Sequence, residues 1–400
     1  MPRPPIEVAD IFAAHAGAFL EANGDAVSSA KRRVLHDLVA CRTAALGGHL
    51  ERCDNDECRH ERPVYNPCLN RHCPKCQATG RAEWLEARAA DLLPVEYFHV
   101  VFTVPPAIAE VALQNKKVMY DALMQASAET LKQIAADPAH LGAKIGFLSV
   151  LHTWGQTLLH HPHVHCVVPG GGLSLDGKRW VSCPPGFFLP IRVLRTVFRG
   201  KLLDLTRQAF AEGELQLQGD LARLKDADEF AAYLKQCYDH DWMVYAKPPF
   251  GGPAQVLKYL AGYTHRVAIS NHRLVAFADG QVRFRWKDYA HGHRQKIMTL
   301  DAVEFIRRFL LHVLPRRFVR IRHYGLLANR CRRDNITRCR ELIGADVPAD
   351  AVVVPVEHED DMTCPICHKG RMRCVQELPG PVYRRRPRSP PRIPAVIDTS

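Results

Sequence analysis

The stretch His160-His161-Pro162-His163-Val164-His165-Cys166-Val167-Val168-Pro169, followed by Gly170-Gly171-Gly172, decides how this chain is read. Between His163 and Val168 the residues are mostly β-branched or apolar, and the proline with three glycines stops the run, so it reads as a strand. Side chains alternate along a strand, so His163 and His165 leave one face with Val164 between them. Two imidazoles spaced about 7 Å along a strand can share one divalent ion. Alone, such a pair is as easily two half-buried histidines of a sheet. The segment 145–154 also reads as a strand, and it carries His152 eleven residues before His163. A hairpin turning near 157–158 returns His152 beside the pair as a third ligand, with Gln156 as the alternative. Two or three neutral ligands leave coordination positions open, as a Lewis-acid centre requires. Metallo-hydrolases that use a His-x-His pair follow it closely with an Asp and another His, whereas here Cys166-Val167-Val168 follow.

Working outward, residues 97–104 alternate with Phe98, Val100, Phe102 and Val104 on one apolar face, which predicts a buried strand. Residues 1–50 read as helical, with Val34, Leu35, Leu38 and Val39 on one face and Gly47-Gly48 as the stop. Helices are predicted over 81–93, 107–137, 191–212, 227–238, 256–264 and 301–314. Residues 274–286 predict a hairpin turning at Asp279-Gly280. The domain expectations are a helical region over 1–52, a zinc-binding module over 53–93 and a catalytic domain over 94–345. A Cys-containing knuckle over 346–378 and a disordered Pro/Arg-rich tail over 379–400 complete the chain. No internal repeat is visible.

Lys and Arg total 54 against 42 acids, a formal charge of +12. From Arg316 to Arg340 there are nine arginines and one acid, Asp334. Such a stripe suits a polyphosphate partner, because each Arg displaces condensed counterions, though it is equally the composition of a solvated helix face. No apolar run approaches the roughly 20 residues that span a bilayer. The first ten residues lack an apolar signal core, so a chain that stays in the cytoplasm is expected.

The fourteen cysteines cluster, which points to metal rather than disulfides. Cys53-x4-Cys58 and Cys73-x2-Cys76 supply four thiolates for a tetrahedral Zn²⁺. Cys68, His60 and His72 are spare candidates, either as replacements or for a second site. Cys364-x2-Cys367 with Cys374 forms a second cluster lacking a clear fourth ligand, which His368 or His358 could supply.

Tyr259 and Tyr263 stand four apart in a predicted helix and so share a face. A tyrosine hydroxyl, with its ordinary pKa near 10, needs a metal and a phosphate beside it to act as a nucleophile. Its product, a phosphotyrosine ester, keeps the phosphodiester bond energy and permits rejoining. Without the histidines, two packing tyrosines would be the simpler reading.

The chain resembles the HUH-type rolling-circle transposases of the insertion-sequence ninety-one family. The matching stretches are 65–77, 93–105, His152-Thr153-Trp154-Gly155-Gln156, the His-Pro-His-Val-His segment, 259–271, and 312–315 through Asn329. They cover roughly residues 30–345 in the family's order. The resemblance implies an α+β fold, an antiparallel HUH-endonuclease-like sheet with packed helices preceded by a small Cys-rich zinc module. It gives His163 and His165 the catalytic ion, Mg²⁺ or Mn²⁺, and gives Tyr259 and Tyr263 the role of nucleophile. His152 matches the third ligand of related conjugative relaxases in spacing. Lys258, Arg266, Arg316, Arg317, Arg320 and Arg322 are expected on the DNA backbone, and Zn²⁺ in the cysteine module. The implied partners are single-stranded DNA and transposon-end DNA, not a membrane, in the bacterial cytoplasm at the nucleoid. A plasmid replication initiator or relaxase shares the chemistry, and a non-catalytic zinc-dependent DNA-binding derivative shares the parts.

Overall fold

The computed structural model describes residues 5–77, 91–247, 267–289, 291–344 and 362–380. They fall into two compact units. One draws on residues before 84, on 267–313 and on 362–380; the other on 91–247 and 314–344. The expected continuous catalytic domain over 94–345 is therefore interrupted, and the C-terminal knuckle is part of the N-terminal unit rather than a domain of its own.

The chain starts in the first unit. Helix α1 (Val8–Asn23) opens on a reciprocal cap between Glu7 and Asp10, and α2 (Ser29–Ala40) on Ser28. Val34, Leu35 and Leu38 of α2 are buried, as their spacing predicts. Next come β1 (Gly48–Cys53) and β2 (Glu61–Tyr65), an antiparallel hairpin that is not among the strands predicted from the sequence.

The second unit contains β3 (Tyr97–Thr103), α3 (Pro106–Gln114), α4 (Lys116–Ala136), β4 (Ala143–Lys144) and β5 (Gly146–Trp154). The single helix predicted over 107–137 is broken at Asn115, whose φ of −116° and ψ of 47° are not helical. Its side chain instead donates to the Val111 carbonyl and accepts from the Gln216 N–H. After β6 (His160–Pro169) follow β7 (Gly171–Ser174), β8 (Trp180–Ser182), α5 (Ile191–Ala211), α6 (Ala227–Asp239) and β9 (Met243–Lys247). The chain then returns to the first unit with β10 (Leu274–Ala278), β11 (Gln281–Asp288), β12 (Arg294–Asp301) and α7 (Ala302–Leu311). The predicted hairpin at Asp279-Gly280 is present, and β12 extends it to three strands. The second unit closes with β13 (Ile321–Gly325) and α8 (Arg332–Ile343), and β14 (Met372–Leu378) pairs with β1 in the first.

The sheet of the second unit has the order β13-β5-β6-β3-β9, with every pair antiparallel. One face carries Phe98, Val100, Phe102, Leu151, Val164 and Cys166 into a core shared with Leu194, Phe198 and Leu202 of α5. Those three α5 residues recur every fourth position, which is why that helix lies apolar side down. The histidines occupy the other face. Among the described residues no helix is long and apolar enough to cross a membrane.

Candidate functional site

Antiparallel register builds the histidine cluster. His152 on β5 lies directly opposite His163 on β6, and Val150 lies opposite His165. The turn between the strands closes through Gly155 N–H to the Leu159 carbonyl, close to the predicted place. Ring centroids are 4.5 Å apart for His152–His165, 4.8 Å for His163–His165 and 5.5 Å for His152–His163. One ligand nitrogen from each falls within 4.8 Å of the others. His152 joins His163 and His165 in the cluster, and Gln156 lies in the turn between the strands.

Two of the rings are pinned from behind. His163 Nδ1 lies 2.7 Å from the His161 carbonyl, which can only accept, so the proton sits on Nδ1 and the lone pair on Nε2. His165 Nδ1 lies 2.7 Å from Nε2 of His99, a buried residue of β3. With that shared proton on His165, its Nε2 too is left as the ligand atom. His152 is held differently, by Trp154 stacked on it with ring centroids 4.7 Å apart. Burial pushes the neighbouring His160 down to about 4 and lowers His161 as well, so neither adds positive charge beside the cluster at neutral pH. His99 is absent from the sequence reading. Its only signal was its place in β3 on the face opposite Phe98 and Val100, which means nothing until β3 is known to lie beside β6.

The cysteines form two sets. Cys41, Cys68, Cys73 and Cys76 converge in one, and Cys53, Cys58, Cys364 and Cys367 in the other. The four thiols expected to share one ion are thereby split, Cys73 and Cys76 from Cys53 and Cys58. The hairpin explains the division. Cys53 and Cys58 lie at its tip, whereas Cys41 and the 66–76 loop lie at its open end. Six residues of strand separate the two by roughly 17–20 Å. Cys41 was missed because it follows α2 as an isolated residue, with no second cysteine near it in sequence. His60 and His72 join neither set, and Cys374 is exposed on β14. In the first set the sulfurs of Cys41, Cys68, Cys73 and Cys76 approach to 3.5–3.6 Å. Lys75 braces the loop, donating to Glu7 and to the Cys41 carbonyl, both at 3.0 Å.

A family model described as "Transposase zinc-binding domain" matches residues 11–104, and one described as "Putative transposase" matches residues 146–335. The chain is 54% identical over 390 residues to "Putative transposase y4qJ" of Sinorhizobium fredii, covering 95% of this chain and 97% of that protein. The chain belongs to the insertion-sequence ninety-one family of transposases. It is also 26% identical over 298 residues to the "Transposase for insertion sequence element IS801" of Pseudomonas savastanoi pv. phaseolicola, 73% of this chain and 69% of that one. Its family and its cysteine sets together make this transposase a carrier of structural Zn²⁺.

Tyr259, Tyr263, Lys258 and Arg266 of the transposase lie outside the described residues. The arginine stripe divides in two. Arg320 is buried, and Arg322 pairs with Asp121 on α4 while covering the Phe318 ring. Arg332 pairs with Asp91, and Arg340 donates to the Leu92 carbonyl. These four are engaged within the second unit, Arg320 and Arg322 among them. Arg316, Arg317, Arg330, Arg333 and Arg338 are exposed. The first zinc set yields a stability prediction. A structural zinc contributes roughly 10 kcal/mol or more, comparable to the whole stability of a domain. Cys73→Ser is therefore expected to unfold the N-terminal unit, removing one zinc by mass spectrometry and the matching calorimetric transition. An unchanged thermogram with full zinc would refute that role for Cys73.

Proposed function

We propose that this transposase nicks and transfers single-stranded DNA in rolling-circle transposition, through a 5′-phosphotyrosine link and a divalent ion held by His152, His163 and His165. The observation that carries the reading is the convergence of three imidazoles on one sheet face, two with Nδ1 already engaged. The residues fit such an ion, since they offer nitrogens and no carboxylate joins them among the described residues. An all-imidazole set favours Mn²⁺ over Mg²⁺, because Mg²⁺ prefers oxygen. When bound, the ion supplies Lewis acidity at the scissile phosphate.

The protein's own residues do the rest. The His161 carbonyl keeps His163 in one tautomer, His99 holds the His165 ring, and Trp154 keeps the His152 ring in place. The hydroxyl oxygen of Tyr259 or Tyr263 attacks phosphorus, the bond from phosphorus to the 3′ oxygen breaks, and that oxygen leaves as a 3′ hydroxyl carrying a proton. The second tyrosine, or the freed 3′ hydroxyl, then attacks the ester to transfer the strand. Arg316 and Arg317 hold the DNA backbone with Lys258 and Arg266, in the bacterial cytoplasm at the nucleoid.

The test is a cleavage assay with labelled oligonucleotides covering the two ends of the encoding element. Single strands are expected to be cut with Mn²⁺ and, more slowly, with Mg²⁺; duplexes and chelator-treated reactions are expected to be inert. Binding without any cleavage would favour the non-catalytic DNA-binding derivative. Full cleavage in excess EDTA would remove the ion from the mechanism.

A further inference from the structure

We propose that Cys53, Cys58, Cys364 and Cys367 hold a second zinc ion, which fastens β14 to the N-terminal hairpin. The zinc-binding domain recognised by similarity ends at residue 104, so half of this site lies beyond it.

The sulfur geometry carries the argument. Cys53 and Cys367 Sγ are 3.7 Å apart, and Cys58 and Cys364 Sγ 3.8 Å. A tetrahedron of thiolates at Zn–S distances of about 2.3 Å has edges of about 3.8 Å. A disulfide would bring the sulfurs to about 2.05 Å.

The backbone adds an independent argument. Of eight non-glycine residues with positive φ among those described, four directly follow a cysteine of the two sets. Arg42 at 57° and Leu69 at 54° follow Cys41 and Cys68, while Arg59 at 46° and His368 at 54° follow Cys58 and Cys367. Such a conformation costs energy in a residue with a Cβ, so its recurrence at both sets marks the same tight turn around a ligand. The second turn is finished by Gly370, whose N–H lies 3.4 Å from Cys367 Sγ. A Cβ there would stand 2.5 Å from Cys53 Sγ. Cys53 and Cys364 are both buried, packed with Met372.

The site joins thiols more than 300 positions apart in sequence (53 to 367, 58 to 364). Pairing of β14 with β1 brings them together. The N-terminal unit is thus completed only once residues 362–380 have been made.

The test is zinc stoichiometry of the full chain, purified with a phosphine reductant. Two zinc ions per chain are expected. The C364S/C367S and C53S/C58S variants should each hold one, and the quadruple variant still one, because both pairs serve the same ion. X-ray absorption at the zinc edge of the unmutated chain, which needs no variant to fold, should give an all-sulfur shell at about 2.3 Å. One zinc per chain, two retained in C364S/C367S, or a shell containing nitrogen or oxygen would each overturn the site.

Discussion

His163→Ala and His165→Ala are each expected to abolish strand cleavage while leaving DNA binding within a few-fold of the unmutated chain. A metal centre supplies several kcal/mol of transition-state stabilisation, so losing a ligand costs roughly 10³-fold or more in rate. Binding is expected to survive through the exposed Arg316 and Arg317, which are not part of the histidine cluster. His152→Ala should also lose most activity, while normal turnover there would pass the third-ligand role to Gln156. His99 offers a graded control. It would act on the ion through its 2.7 Å contact with His165. Losing a group that orients a ligand costs about 10–100-fold in metal affinity or activity. His99→Phe should therefore raise the Mn²⁺ concentration needed for half-maximal cleavage, and His99→Gln should restore part of it. Single-turnover cleavage across a Mn²⁺ titration, paired with gel-shift affinities, reads both effects. If His163→Ala cuts at the normal rate, the histidine cluster is not the catalytic centre.

The second large effect concerns Tyr259 and Tyr263. Incubation with a labelled single-stranded end should leave a protein–DNA adduct that survives denaturation, and peptide mass spectrometry should locate the nucleotide on one of these tyrosines. Each single Tyr→Phe change should keep partial activity, because the other hydroxyl stands four residues away in a predicted helix. Tyr263 is the favoured first attacker, since Thr264, His265 and Arg266 adjoin it in sequence. The double change should remove the adduct completely. Cleavage persisting in the double variant, or a free 5′ phosphate with no adduct at any time, would replace tyrosine by an activated water.

Much of this protein was written locally in its sequence. Alternation in 97–104 gave a buried strand, and the histidine spacing gave the face on which the imidazoles sit. The eleven residues from His152 to His163 suited one short hairpin, and the structure closes that hairpin at 155–159. Each of these follows from a period of two along one stretch of chain, which needs no knowledge of distant residues. What the sequence could not give is whatever depends on which distant strands become neighbours. His99 matters only because β3 pairs with β6, and the burial of Arg320 and the pairing of Arg322 with Asp121 depend on where β13 docks. Cys53 and Cys58 found their partners at Cys364 and Cys367 because β14 returns to β1, and Cys73 and Cys76 found Cys41 at the other end of the hairpin. A cysteine motif announces that metal will be bound but not which half-sites will share it. Ligand spacing within a knuckle is set by one tight turn, whereas the pairing of knuckles is set by strand register across hundreds of residues, and only the folded chain contains that register.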